Sequence, residues 1–144
     1  MGMTLEQAVA FAALCHEGQK DKVGDTYILH PLRVMGRLRT LAERRVAVLH
    51  DVVEDCGVTL WQLRKLGIPA REVRAIDALT RRQGEPYLAF VARAGEDALA
   101  RRVKLADLAD NMDEGRLAKL PAERREALQA KYGGALALLG RRHG

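Results

Sequence analysis

Apolar residues recur at three- and four-residue spacing along nearly the whole chain, and short polar breaks separate the runs. That period belongs to helices with one buried face. No stretch alternates with the period of two that a half-buried strand requires. Leu5, Ala8, Val9, Ala12 and Cys15 form the first stripe, and Thr4 with Gln7 forms a capping box at its start. "GQKDKVGDTY" breaks the pattern and reads as a loop. Pro31 suits the first turn of a second helix carrying Leu32, Met35 and Leu38. A third helix is predicted from Glu43 to Asp55, stopped by Gly57. Thr59 and Gln62 make another capping box, before a short helix ending at Gly67. Pro69 opens the next helix, with Val73, Ile76 and Leu79 on one face. After the loop "RRQGEP", Pro86 to Ala94 is predicted as a short helix closed by Gly95, and Asp97 to Met112 as a further helix. The last helix starts near Pro121 and carries Leu128, Tyr132, Leu136 and Leu139, with Gly133-Gly134 expected to kink or weaken it. The expected architecture is all-α: one compact bundle of about seven or eight helices. A single domain is expected over 1–144, with the motifs within 4–112, a C-terminal helix over 121–139 and a frayed tail over 140–144.

Composition narrows the class. Apolar residues make up 48% of the 144 residues and charged residues 30%, the balance of a soluble domain able to bury its own core. Aromatics are only 4%, so Val, Leu and Ala must fill that core. The net charge of +5 favours anionic partners. The arginine pairs Arg44-Arg45, Arg81-Arg82, Arg101-Arg102 and Arg124-Arg125 are dispersed, however, and also fit a solvated basic surface. Cys15 and Cys56 form no C-x-x-C pair and are expected to be free thiols in a reducing compartment. No apolar run reaches the roughly 18 residues of a membrane span, and no secretory leader is visible, so a cytoplasmic location is expected.

Ionisable residues then break the apolar logic in three places. In "VLHDVVEDC", Val48 to Cys56, a helical projection puts His50, Asp51, Glu54 and Asp55 within an arc of about 140°, opposite Val46, Leu49, Val52 and Val53. An amphipathic helix with solvated acids would account for this. Yet no Lys or Arg lies between Val46 and Cys56 to offset three neighbouring negative charges, which points to an external cation. In "VKLADLADNM", Lys104, Asp107 and Asn111 fall within roughly 60° of one another beside an apolar face, which also fits a surface Lys–Asp ladder. In "YILHP", His30 stands at the entrance of the second helix. His30, His50, Asp51 and Asp107 would together form a mixed nitrogen and oxygen donor set suited to Mn, Fe, Co or Zn.

These segments, in this order, resemble the HD-superfamily hydrolase domain of the RelA/SpoT-type alarmone enzymes, and most of all its small single-domain hydrolases. The likeness runs from Thr4 to Asn111. It implies that His30, His50, Asp51 and Asp107 hold a divalent metal, usually manganese, and that Glu54 and Asp55 position and activate water. It implies that Asn111 contacts the nucleotide, with Tyr27 also on the substrate side. The reaction implied is removal of the 3′-pyrophosphate from guanosine tetra- or pentaphosphate (ppGpp, pppGpp); members acting on NADPH are also known. Lys22, Lys104, Arg81 and Arg82 are candidates to neutralise phosphate charge.

The chain departs from the family pattern at two points. Asp21 and Lys22 stand where a basic pair is common, and "ALTRRQGEPY" differs from the usual text. Arg81, Arg82 and Tyr87 fit a substitute anion clamp with an aromatic platform, or a solvated loop with a packed tyrosine. Cys56 replaces a common Thr and reads as a packed or capping residue; His16 and His143 stand outside the donor set. The leading expectation is a metal-dependent nucleotide pyrophosphohydrolase acting on ppGpp. The alternatives are hydrolysis of another nucleotide such as NADPH, which Asp21 motivates, and a non-catalytic nucleotide-binding domain. Nucleic-acid binding ranks last, because the chain shows neither a recognition-helix motif nor an aromatic cluster. A homo-oligomer is left open.

Overall fold

Side chains that satisfy free backbone N–H groups decide where these helices begin. The computed structural model describes residues 2–141. In chain order it contains α1 (Leu5–Cys15), α2 (Leu29–Gly36), α3 (Leu41–Leu49), α4 (Val52–Cys56), α5 (Leu60–Lys65), α6 (Ala70–Ala78), α7 (Tyr87–Ala94), α8 (Ala98–Asn111), α9 (Glu114–Leu117) and α10 (Ala122–Arg141). Thr4 and Thr59 form the predicted capping boxes of α1 and α5. A third box, Thr40 with Glu43, moves the start of α3 two residues ahead of the predicted Glu43.

The all-α expectation holds, and the only strand-like pairing among the described residues is an isolated bridge between Lys20 and Thr26. Ten segments replace the predicted seven or eight. One addition is α9. The other comes from a break in the predicted Glu43–Asp55 helix, which stops at Leu49 and resumes at Val52. His50 and Asp51 form the joint, so they are not successive positions on one continuous helical face. The second helix starts two residues before Pro31, because turn hydrogen bonds from the N–H groups of Leu29 and His30 to Thr26 and Tyr27 carbonyls lead into it. His30 therefore lies inside α2. The Gly133-Gly134 pair does not end α10, which runs unbroken through it and packs on α7 and α8. Gly140 and Arg141 belong to α10, while residues 142–144, with His143, lie outside the described residues.

Two apolar clusters share α8. The larger joins α1, α2, α3, α6 and α8 through side chains such as Val34, Val46, Leu49, Ile76 and Val103. The smaller joins α7, α8 and α10 through Phe90, Val91, Leu108, Tyr132 and Leu139. As the composition implied, Val, Leu and Ala dominate the interior. Facing these clusters, α8 also carries buried Lys104, Asp107 and Asp110. Buried charges are costly unless paired, so the polar edge of α8 must be satisfied by its neighbours.

Candidate active site

The joint between α3 and α4, the first turn of α2 and the middle of α8 meet at one point. His30, His50 and Asp107 are all buried there, and each offers a ligand atom within 4.8 Å of the others. The Nε2 of His30 lies 2.8 Å from Asp107 Oδ1, and the Nε2 of His50 lies 3.5 Å from the same oxygen. Asp51 adjoins the group, with Oδ2 3.2 Å from His50 Nε2.

The other ring nitrogens have separate partners. His50 Nδ1 meets the Ala47 carbonyl one turn earlier in α3, and His30 Nδ1 meets Asp110 Oδ2 at 2.7 Å. A carbonyl or ionised carboxylate only accepts, so each Nδ1 carries the proton and each Nε2 is directed at Asp107. Imidazoles that ligate metals are held in this way. Two such nitrogens with the carboxylates of Asp107 and Asp51 fit a divalent transition metal by donor chemistry.

The electrostatics agree. Burial alone would lower the pKa of His30, but the Asp107 and Asp110 carboxylates outweigh it and raise the value to about 10. His50 is likewise raised against its burial, by Asp51 and then Asp107. Asp107 is held well below the ordinary carboxylate range despite its burial, first by the Lys104 cation and then by the two imidazoles. Lys104 donates to Asp107 Oδ2 at 3.0 Å, and Asn111 Nδ2 lies 3.4 Å from Oδ1. A cation that replaces the protons on this cluster would enter a site already built around negative oxygens.

The cluster lies in the wall of a cavity of about 570 Å³, a volume in the range of small-molecule sites. Eight Lys or Arg residues line it against four Asp or Glu residues, so an anionic ligand is favoured. The loop between α1 and α2 contributes Lys20, Asp21, Lys22 and Val23. Asp21 Oδ1 accepts from the N–H groups of Val23 and Asp25, so its negative charge is partly used to shape this loop. Lys22 Nζ donates to the Tyr132 hydroxyl at 2.6 Å.

The predicted site residues divide clearly. Tyr27 lines the cavity, and its hydroxyl donates to Asp51 Oδ2. Glu54 is in the wall and accepts from Arg81 N–H at 2.8 Å. Asp55 is outside the wall, with an exposed edge; crowding around its carboxyl, then repulsion from Asp51 and Glu54, pushes its pKa up to about 6. Arg81 lies in the wall over the Tyr87 ring, whose face Lys104 and Lys131 also approach. The buried Tyr87 hydroxyl has no protein partner. Arg82 is not in the wall: it pairs with Asp77 and binds the Asp77 and Thr80 carbonyls. Cys56 is partly buried within reach of Gln19 and His16, in keeping with a packed role.

The sequence reading missed two groups. One is the face of α10 with Arg124, Leu128, Lys131 and Tyr132, all in the cavity wall. Its signal was the i, i+4, i+7, i+8 spacing, read only as an apolar stripe. The other is Asp110 with Arg33 and Arg116. Asp110 is 1% exposed and receives both guanidinium groups.

A helical frame that gathers a His, a His-Asp pair and a later Asp at one buried point defines an HD-type domain. Among proteins of known structure, the chain is similar to a metazoan ortholog of SpoT described as hydrolysing ppGpp. The two superpose with a TM-score of 0.79 at 22% identity, over 94% of this chain and 84% of the other, which is a likeness of fold. In sequence it is 36% identical over 125 residues to a guanosine-3′,5′-bis(diphosphate) 3′-pyrophosphohydrolase of Vibrio cholerae, over 75% of this chain. It is 32% identical over 136 residues to a GTP pyrophosphokinase of Streptomyces coelicolor, over 85% of this chain. The chain spans only 17% and 16% of the length of these two relatives. No family model matches the sequence. The chain belongs to the RelA/SpoT group of HD-type hydrolase domains.

Proposed function

We propose that the protein is a divalent-metal-dependent nucleotide pyrophosphohydrolase that removes the 3′-pyrophosphate of ppGpp, with manganese as its metal. The observation that carries this reading is the buried His30–His50–Asp107 cluster in the wall of a cavity whose other charges are mainly cationic. The relatives named as pyrophosphohydrolases support the substrate. Others are named pyrophosphokinases, and the metal-ligand chemistry favours hydrolysis over transfer from a second nucleotide.

In this reading His30, His50, Asp51 and Asp107 hold the metal. A bound divalent cation supplies Lewis acidity for a phosphoryl oxygen and for the attacking water. Lys104 and Asn111 keep Asp107 oriented. Glu54, one turn after Asp51, orients water, and Asp55, titrating near 6, exchanges its proton close to neutral pH. Water adds to the phosphorus at the 3′ oxygen, the bond between them breaks, and the 3′ oxygen leaves with a proton. The products are GDP and pyrophosphate. Lys22, Arg81, Arg124 and Lys131 offset the phosphate charge, and Tyr87 offers its ring to the base.

A nucleotide panel offered to manganese-loaded protein tests the reading. GDP and pyrophosphate from ppGpp are expected, at a rate above every other nucleotide. Faster release of orthophosphate from NADPH would replace ppGpp as the substrate, and tight binding of ppGpp without turnover would remove the catalytic assignment.

A further inference from the structure

Helices α2 and α8 are joined by two side chains from each, both pairs spaced i,i+3. His30 and Arg33 come from α2, Asp107 and Asp110 from α8. His30 spans both acids: Nε2 reaches Asp107 at 2.8 Å and Nδ1 reaches Asp110 at 2.7 Å. Arg33 Nε donates to the other Asp110 oxygen at 2.8 Å. Arg116, from α9, adds contacts of 3.3 and 3.2 Å to Oδ1 and Oδ2, and a further bond to the Asp110 carbonyl. A carboxylate surrounded by donors stays ionised and can only accept.

We propose that Asp110 is a positioning residue that fixes the tautomer and orientation of the metal ligand His30, and that Arg33 and Arg116 serve the metal through Asp110. The inference rests on the metal-site reading above. Both arginines line the cavity and invite assignment as phosphate contacts. Their geometry says otherwise: each guanidinium is turned onto Asp110. The proton held on Nδ1 by Asp110 leaves the lone pair on Nε2, the atom that faces Asp107 and His50. His50 reaches the same state through the Ala47 carbonyl, which is part of the helix backbone. His30 is therefore the ligand whose orientation depends on a replaceable side chain.

The test compares wild type with Asp110→Asn, a near-isosteric change, using manganese alone as the titrant. Affinity measured by calorimetry is expected to fall about 10- to 100-fold, as it does when such outer partners are removed. Asp110→Glu should recover part of the loss. With metal saturating, the KM for ppGpp should stay near wild type. In zinc-loaded wild type, the His30 imidazole should show a slowly exchanging proton on Nδ1 by NMR, and in Asp110→Asn that proton should exchange faster. Should Asp110→Asn fail to fold, Arg33→Met leaves the carboxylate in place and is expected to weaken manganese binding several-fold. Unchanged manganese affinity in the folded variant would overturn the proposal, as would a raised KM with intact metal affinity. Wild type that binds no divalent metal would overturn the metal-site reading itself, and this inference with it.

Discussion

The Lys22 ammonium donates 2.6 Å to the hydroxyl of Tyr132, linking the loop after α1 to α10 across 110 residues. Both residues line the cavity, and Tyr132 is anchored below by the apolar cluster of α7, α8 and α10. Burial, then repulsion from Arg124, lowers the pKa of Lys22, so the phenol oxygen holds a cation that its surroundings disfavour. Tyr132→Phe keeps the buried ring and removes the acceptor. It should raise the KM for ppGpp about fivefold with little change in kcat, because Lys22 must then be ordered at binding. Steady-state kinetics check this; an unchanged KM would detach the pair from substrate binding.

Lys131 lies 4.5 Å from the centroid of the Tyr87 ring, and its pKa is lowered by burial, then by Lys22, Arg81 and Lys104. Cations brought together at a cost to one another are stabilised when an anion arrives. Lys131→Glu should raise KM more than about tenfold at low salt, and the gap to wild type should shrink near 1 M salt as charges are screened. Arg74→Glu, at an exposed site on α6 outside the cavity, is the control and should change KM little. Equal effects at both positions would mean that net charge matters and the cavity does not.

The metal cluster was legible because each ligand sits in a short segment whose ionisable residues conflict with apolar periodicity. His30, His50, Asp51 and Asp107 could be named on that conflict and on the order of the segments. The joint at His50-Asp51 was hidden, since the valines keep helical spacing across it. Tyr132 was hidden for the same reason in reverse: it fits an apolar stripe, and nothing local says that its hydroxyl meets a lysine 110 residues away. Asp110 looked like one more polar position on α8. Its partners come from α2 and α9, and only the packing of those helices brings them together.

Metal binding to the folded state alone must also stabilise the fold. At a manganese concentration about 100 times Kd the gain is about 2.7 kcal/mol, seen as a rise in Tm that a chelator reverses. His50→Gln removes the ligand nitrogen at the α3–α4 joint and should abolish most of that rise. Tyr27→Phe removes the donor to Asp51 and should reduce the rise at a fixed metal concentration, through an affinity loss of about tenfold. Differential scanning calorimetry with and without metal reads all three. A full metal-induced shift in His50→Gln would exclude His50 as a ligand.

The loop that carries Arg81 is fastened by Glu85. Its carboxylate accepts from Arg93 Nε and Nη2 at 3.0 and 2.9 Å, and from Arg82 N–H at 3.0 Å. The Arg93 hydrogen bonds, then the Arg82 N–H, lower its pKa to about 2, against an ordinary value near 4.3. The sign follows from linkage. Above about pH 4.3 the group is ionised in both folded and unfolded chains, and its stabilisation is fully present. As pH falls further the unfolded chain takes up the proton first, so the contribution drains away and is gone below about 2. Wild type should therefore be more stable than Glu85→Gln at about pH 6, and the difference should narrow steadily between about pH 4 and pH 3. Urea unfolding at a series of pH values measures that difference directly. A gap that stays constant down to about pH 3 would mean that Glu85 titrates normally and that its bonds to Arg93 do not hold the loop.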